Sequence, residues 1–438
     1  MRKGTDKAAK DISRRDFMKA SAAVGAAAMF AGREKLFAQG TDKIRVGLIG
    51  CGGRGTGAGW NCVQAAPNVE VYALADVFSD KVEHTLNKYT KEDPEKTDEY
   101  GGGRLKKEQV NVTPERCFVG FDAYKKLLAT DVDLVILATP PHFRPSHLAA
   151  VVDAGKHVFM EKPVAVDPVG VRSILASSEK AKSKGLAIVA GTQRRHQGSY
   201  LELMKRIHKG DIGEIVAAQC YWNGGGWDGP TGKPTHMSDM EWQIRHWIHF
   251  TWLSGDQIVE QHIHNIDVVN WALGSHPVQA MGMGGREVRA GEGNIFDHFA
   301  VEFEYPNGVR VLSMCRHMAG CTDRVSERIV GTKGVAFPDR KIEGDNAYTY
   351  EGSAPNPYIQ EQTDLIASIR SGEPLNEGKR VAESTMTAIM GRMSAYTGRA
   401  LKCDWAMNAS KLDLSPTRYE FCDLTVRPVS VPGKTLLI

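Results

Sequence analysis

The sequence predicts an α/β protein in two halves, a doubly wound parallel sheet followed by a unit built on a mainly antiparallel sheet. Between residues 43 and 160, short apolar runs without strict alternation are separated by helix-length amphipathic stretches, the pattern of strands buried on both faces. From about residue 212 the texture changes to alternating segments, as expected for strands with one face on a core. The 438 residues are too many for one ordinary domain and suit two. Hydrophobic residues at 42% and charged residues at 24% exclude wholesale disorder and fibrous repeats.

The expected strands of the first half are Lys43–Ile49, Val69–Val77, Arg116–Phe121, Val132–Ala138, His157–Met160 and Leu186–Gly191, with helices such as Asp80–Lys88 and Pro145–Ala154 between them. Residues 91–111 are charged, carry Gly101-Gly102-Gly103, and are expected to form an inserted surface loop or lid. In the second half the strands are Glu214–Tyr221, Val278–Val288, His298–Tyr305, Val309–Met314 and Arg328–Phe337, with Asn307-Gly308 as a hairpin turn. Helical stretches near 358–370 and 379–396 are expected to pack back on either domain. The division is a leading segment 1–40, a first domain 41–195 and a second, α/β domain 196–438.

The formal charge is +3, yet residues 1–40 hold nine Lys/Arg against four Asp/Glu, so the body of the chain is close to neutral. A near-neutral body gives no electrostatic footprint for nucleic acid, and none is expected as a partner. Arg14 and Arg15 precede Phe17 and an Ala-rich apolar stretch, Ala20 to Gly32, too short and too weakly hydrophobic for a membrane span. With small residues near Ala38, this resembles the twin-arginine export signal, which a receptor reads. An amphipathic N-terminal helix is the other reading. The expected partner is the twin-arginine machinery, which carries folded proteins. The expected location is the periplasm or beyond, with a membrane anchor if the segment is not cleaved. Eight scattered cysteines permit disulfides without implying them.

Gly50-Cys51-Gly52-Gly53-Arg54-Gly55 matches Gly-x-Gly-x-x-Gly between an expected strand and an expected helix. The first Gly allows a tight turn, the second lets backbone approach a pyrophosphate, and the third permits close helix–strand packing. The helix N-terminus adds unpaired N–H groups, and Arg54 offers a charge-assisted phosphate contact. Asp76 ends the second strand near the offset of a ribose-binding carboxylate, which accepts from the diol and repels a 2′-phosphate. NAD is therefore expected over NADP.

Ala138-Thr139-Pro140-Pro141, His147, and the string Ala154-Gly155-Lys156-His157-Val158-Phe159-Met160-Glu161-Lys162-Pro163 follow. With the Gly loop they strongly resemble the Gfo/Idh/MocA family, the glucose-fructose oxidoreductase and inositol dehydrogenase group, over roughly residues 43–400. The resemblance implies an N-terminal Rossmann domain, a C-terminal α/β domain with a large open sheet, and sugar or cyclitol substrates. It makes Lys162 the active-site lysine, stabilising a developing alkoxide or relaying its proton. Glu161 lies near the nicotinamide ribose, and Thr139 and Pro140 border the nicotinamide. His264 falls on the family's catalytic His and Asp267 on the Asp that follows it. Glu260 stands where the family usually has Asp, which leaves the proton path open. If the segment is helical, residues 260, 264 and 267 share one face. The alternative is a structural polar cluster. Arg195 matches an Arg beside the substrate pocket, or else it is a surface charge or an interdomain ion pair.

His246, His249, His262 and His264 with Glu260 also invite a metal reading, but they lie in or near loops and no metal is expected. Trp222, Trp227, Trp242, Trp247 and Trp252 fall in one Gly-rich stretch. Trp222 and Trp227 suit sugar faces, and packing of a long loop or a subunit partner is the other reading. The sequence thus points to an exported, NAD-dependent oxidoreductase acting on a sugar or cyclitol hydroxyl or ketone, as a homo-oligomer. An NAD-dependent glycosidase working by transient ring oxidation and elimination is the rival, and a non-catalytic NAD- and sugar-binding protein is a third reading.

Overall fold

The computed structural model describes residues 42–91, 103–353 and 355–438. The signal segment and most of the 91–111 insertion lie outside the described residues. The first sheet contains β1 (Ile44–Ile49), β2 (Val69–Asp76), β3 (Cys117–Val119), β4 (Leu134–Leu137), β5 (His157–Met160) and β6 (Ile188–Ala190). Their spatial order is β3-β2-β1-β4-β5-β6, with every neighbour parallel. Leu134, Val135, Ile136 and Leu137 are all fully buried, because helices cover both faces and leave no polar side to alternate. The order reverses between β1 and β4, and there the carboxyl ends of the strands open a crevice. The described end of the insertion is fastened along β2, where Val110 bridges Val71, and Leu105 is buried.

The second sheet has nine strands: β7 (Ile215–Gly224), β8 (Gln279–Gly285), β9 (His298–Glu304), β10 (Arg310–His317), β11 (Arg324–Gly331), β12 (Gly334–Phe337), β13 (Lys341–Gly344), β14 (Tyr348–Thr349) and β15 (Leu401–Lys402). The order is β14-β13-β12-β11-β7-β10-β9-β8-β15. All pairs are antiparallel except β7 with β10. Alternation is strict on β10: Val311, Ser313 and Cys315 are buried while Leu312 and Met314 face outward. The segment Arg328–Phe337 is not one strand but a hairpin, with Ile329 opposite Ala336 and Val330 opposite Val335. The tight turn at Gly331–Gly334 keeps the alternating pattern through the reversal, so the pattern alone hides it.

Helix Gly378–Thr397 is buried along nearly its whole length and lies between β8 and helix Pro168–Lys184. Helix Pro357–Arg370 packs on the first domain's helix Gly53–Ala65, where Thr363 Oγ1 donates to Ala65 O at 3.3 Å and Arg370 Nη2 to Pro67 O at 2.7 Å. Residues 409–438 form no helix or strand, yet they tie both halves together. Leu414 N–H donates to Asp167 at 2.8 Å, Tyr419 shares a 2.8 Å hydrogen bond with His142, and Gln243 Nε2 donates to Leu424 O at 2.6 Å.

At the junction of the two domains, Arg194 pairs with Glu327, Arg195 with Asp267, and His196 with Asp364 at 2.6 Å and Glu377 at 3.4 Å. Burial alone would lower the His196 pKa, but Asp364 and Glu377 outweigh it and raise it from the usual 6.5 to about 9. A pKa raised in the folded state gives stability that is complete below 6.5 and is lost as pH climbs through about 9. The melting midpoint should therefore fall by a few degrees over that window. His196→Gln should flatten the fall, as calorimetric scans across the pH series would show.

Candidate active site

The turn from β1 into helix Gly53–Ala65 builds a cradle. Gly50 has φ of +100°, and a Cβ there would lie 2.6 Å from the Ala138 carbonyl carbon and Thr139 nitrogen. A Cβ on Gly55 would lie 1.9 Å from Gly50 O, so only Gly lets the helix sit on the strand. Gly52 and Gly53 meet nothing within 4 Å and face a cleft of about 290 Å³ that Asp76, Thr139 and Pro140 also line. No side chain caps this helix, so its first N–H groups are available to an anion. Asp76 accepts from Cys51 N–H at 2.7 Å and Phe78 N–H at 3.0 Å, one on each oxygen, which leaves each oxygen further acceptor capacity. Burial raises its pKa, against the opposing effect of those two bonds. The residues present therefore fit a dinucleotide. Ile244, Arg245 and Trp247 reach the same cleft from the second domain.

Arg54 departs from the phosphate contact expected of it. Its guanidinium forms an ion pair at 2.7 Å with Glu161, donates to Asn61 Oδ1 at 3.1 Å and lies over the Tyr358 ring. The Glu161 carboxylate packs where a Cβ on Gly191 would lie, 2.3 Å from Oε2. Glu361 stands nearby, fully buried, and burial followed by Glu161 pushes its carboxyl well above the usual range.

Lys162 follows β5 and Glu260 ends helix Gln257–Glu260 of the second domain. The Lys162 ammonium donates to Glu260 Oε1 at 2.9 Å and to Glu260 O at 2.5 Å. His264 is 9% exposed, and burial, then Lys162, then Arg194 hold its pKa well below 6.5, so its imidazole is neutral. Its Nδ1 has no hydrogen-bond partner among the described residues, and its ring lies 5.9 Å from that of Trp222. Lys162, Glu260, His264 and Trp222 thus come together.

Asp267 and Arg195 are engaged with each other. Arg195 Nε donates to Oδ2 at 2.7 Å and Nη2 to Oδ1 at 2.9 Å, and Ser384 Oγ donates to the same carboxylate at 2.8 Å. Burial would raise the Asp267 pKa, but Arg195 outweighs it and the net shift is downward. Residues 260, 264 and 267 do not share one helix. The chain breaks at Gln261-His262 before helix Ile263–Leu273 begins, which brings Glu260 to Lys162 and leaves Asp267 facing Arg195.

Sequence reasoning missed a cluster beside Glu260. Gln261 Oε1 is hydrogen-bonded to His317 Nε2, and His317 Nδ1 lies 3.3 Å from Arg289 Nη2. Arg289 Nη1 donates to Trp227 O at 2.7 Å, and the Trp227 ring meets His317 edge-on at 4.9 Å. Arg289 is 7% exposed. The one signal for His317 was the two-residue period of β10, which puts it on the face of Ser313 and Cys315. Of the other histidines, His246 bonds Trp242 O at 2.9 Å and His262 bonds Ser313 Oγ at 2.8 Å. No group of three or more metal-binding side chains converges among the described residues. All eight cysteines are free thiols.

Comparison with known proteins agrees with this architecture. Residues 44–190 match the oxidoreductase family with NAD-binding Rossmann fold, and residues 200–337 match the GFO/IDH/MocA C-terminal domain. Residues 11–31 match the twin-arginine translocation pathway signal sequence. An inositol 2-dehydrogenase of Burkholderia lata is 25% identical over 61% of this chain and 66% of its own length. A glycosyl hydrolase family 109 protein of Streptomyces coelicolor is 28% identical over 40% of this chain and 32% of its own. The chain thus spans a third to about two thirds of the curated relatives it matches. The crystal structure of aldose-aldose oxidoreductase from Caulobacter crescentus, complexed with glycerol, superposes with a TM-score of 0.62 at 17% identity, covering 82% of this chain and 99% of that one. Rossmann sheet, open second sheet and matched motifs together make this chain a member of the Gfo/Idh/MocA oxidoreductase family.

Proposed function

We propose that the protein is an NAD-dependent oxidoreductase that moves hydride between a nicotinamide and a sugar or cyclitol hydroxyl or ketone. The observation that carries the reading is the Lys162 ammonium, anchored by Glu260 beside a neutral His264. When bound, NAD supplies the hydride acceptor at its nicotinamide. Lys162 then hydrogen-bonds the substrate oxygen and stabilises negative charge on it, while neutral His264 takes the hydroxyl proton. Glu260 orients the ammonium, and the half-buried Trp222 supplies an apolar wall for the ring. Asp267 and Arg195 act as positioning residues that fix the helix bearing His264. Asp76, a carboxylate at the end of β2 that lines the cleft, supports NAD over NADP, since an acidic group there would accept from a ribose diol and repel a 2′-phosphate. The signal segment fits export to the periplasm of a protein already folded around its cofactor. Met281, Met283, Leu312 and Met314 are exposed on the outer face of the second sheet and suit burial against a second copy.

A family 109 glycosyl hydrolase among the relatives keeps the glycosidase reading in play. There Glu260 or His264 would remove the proton beside a transient ketone. Incubation with a nitrophenyl glycoside separates the two, since nitrophenol release without net NADH marks the glycosidase.

Mass spectrometry of nucleotide released from the purified protein should find NAD, and calorimetry should give at least tenfold weaker binding for NADP. Lys162→Met should retain the nucleotide but lower kcat by roughly 10²–10⁴-fold on whichever sugar proves active, as nicotinamide absorbance would record. Because His264 is held neutral, the acid limb of the kcat/KM profile should fall below pH 6.5. A chain that neither retains nor takes up a pyridine nucleotide would end this reading.

A further inference from the structure

One end of the cofactor cleft is walled by residues that neither sheet supplies. In the strand order β3-β2-β1-β4, Asp76 and Phe78 stand at or just after the end of β2 and Phe121 just after β3, on one side of the reversal, while Thr139 and Pro140 follow β4 on the other. A ribose-binding carboxylate at the end of β2 makes the first side the place of the adenosine and leaves the second to the nicotinamide. Phe78 and Phe121 both line the cleft. Each is met by a ring from the C-terminal tail. Phe421 stacks on Phe78, with ring centres 5.8 Å apart and planes 7° apart, and meets Phe121 edge-on at 5.2 Å. Tyr419 meets Phe121 at 6.5 Å and Phe143, another residue of the cleft, at 5.9 Å. Both tail rings are nearly half exposed, and both lie on rings that line the cleft.

The tail crosses here from one domain to the other. On the first domain, the Tyr419 hydroxyl is fastened by its 2.8 Å hydrogen bond with His142. A few residues later, Cys422 O accepts from Met240 N–H at 3.0 Å, and Leu424 N–H donates to Asp239 Oδ2 at 3.1 Å. Asp239 and Met240 begin helix Asp239–Arg245 of the second domain. Arg245, at the other end of that helix, lines the cleft, holds its guanidinium 3.8 Å from the centre of the Phe78 ring and donates to Asp80 at 3.2 and 3.3 Å. We propose that residues 419–424 are a strap over the adenosine end of the cleft, in which Phe421 and Tyr419 hold Phe78 and Phe121 against the adenosine of a pyridine dinucleotide, so that the nucleotide leaves only when the strap lifts. Phe421 is a positioning residue, since it acts through Phe78 and Phe121. Each of its two ring contacts is worth roughly two- to tenfold in an equilibrium. This role rests on the cleft holding a dinucleotide and is independent of which sugar is used.

The test follows NADH fluorescence on the full chain. Protein loaded with NADH is mixed with excess NAD, and Phe421→Ala should speed release of the NADH about tenfold over the parent. Phe421→Tyr keeps the ring and should behave as the parent does. Tyr419→Phe, which removes only the hydroxyl bonded to His142, should speed release severalfold. Displacement of NADH by ADP-ribose and by nicotinamide mononucleotide then separates a local wall from general loosening. In Phe421→Ala the affinity for ADP-ribose should fall about tenfold, while that for the mononucleotide should hardly change. Release unchanged in Phe421→Ala, or equal losses for the two fragments, would overturn the strap and leave the dinucleotide site standing. A parent chain that takes up no NADH would remove the site and the strap together.

Discussion

The contact between Lys162 and Glu260 sets the terms for the rest of the molecule. The lysine comes from the first sheet and the glutamate from the second domain, and the ammonium is held by both the carboxylate and the main-chain carbonyl of one residue. Such a contact survives only if the two domains are fixed to within a fraction of an ångström. Removing either partner would leave a nearly buried charge unpaired. The domain junction supplies that fixity through buried pairs, Arg194 with Glu327 and Arg195 with Asp267, on neighbouring residues of one short turn. Charge at the junction is therefore structural as well as chemical.

The first domain was legible because its signals are local. A Gly loop between a strand and a helix, strands without alternation, and a short string ending in Glu161-Lys162-Pro163 each declare themselves within a few residues. The second domain was less legible. The alternation in Arg328–Phe337 is the same in a strand and in a hairpin whose turn preserves the phase, so one element was read where two exist. The helix break at Gln261-His262 left no sequence mark, and the expected shared face of 260, 264 and 267 dissolved with it. Arg54 shows a third limit. Its position in the Gly loop suggested phosphate, but buried Glu161 lies closer than solvent and takes the guanidinium. Arg289 and His317 meet only through the register of a folded sheet, which no short window encodes.

The tryptophans of the 221–252 stretch divide between the two readings. Trp222 lies beside His264 and Trp247 lines the cofactor cleft, whereas Trp242 donates to Glu292 and Trp252 packs in the core with Nε1 bonded to Gln243. One compositional cluster thus lines the cleft and packs the scaffold at once. The tail from 409 onward has no periodicity to predict and is held by its own backbone groups and by side chains from both domains. It closes a cavity against helix Gly378–Thr397.

The lone parallel pair in the second sheet bears on how the chain is made. β7 leaves the first domain early but lies beside β10 as well as β11, so the centre of the sheet cannot close until those later strands have emerged. Pairings so distant in sequence are slow to form, since chain entropy is lost before contacts repay it. An unfolded-chain secretion route would leave such a sheet to assemble unaided after transport. Residues 11–31 match the signal of a route for completed folds, and on that route the slow step would come before transport.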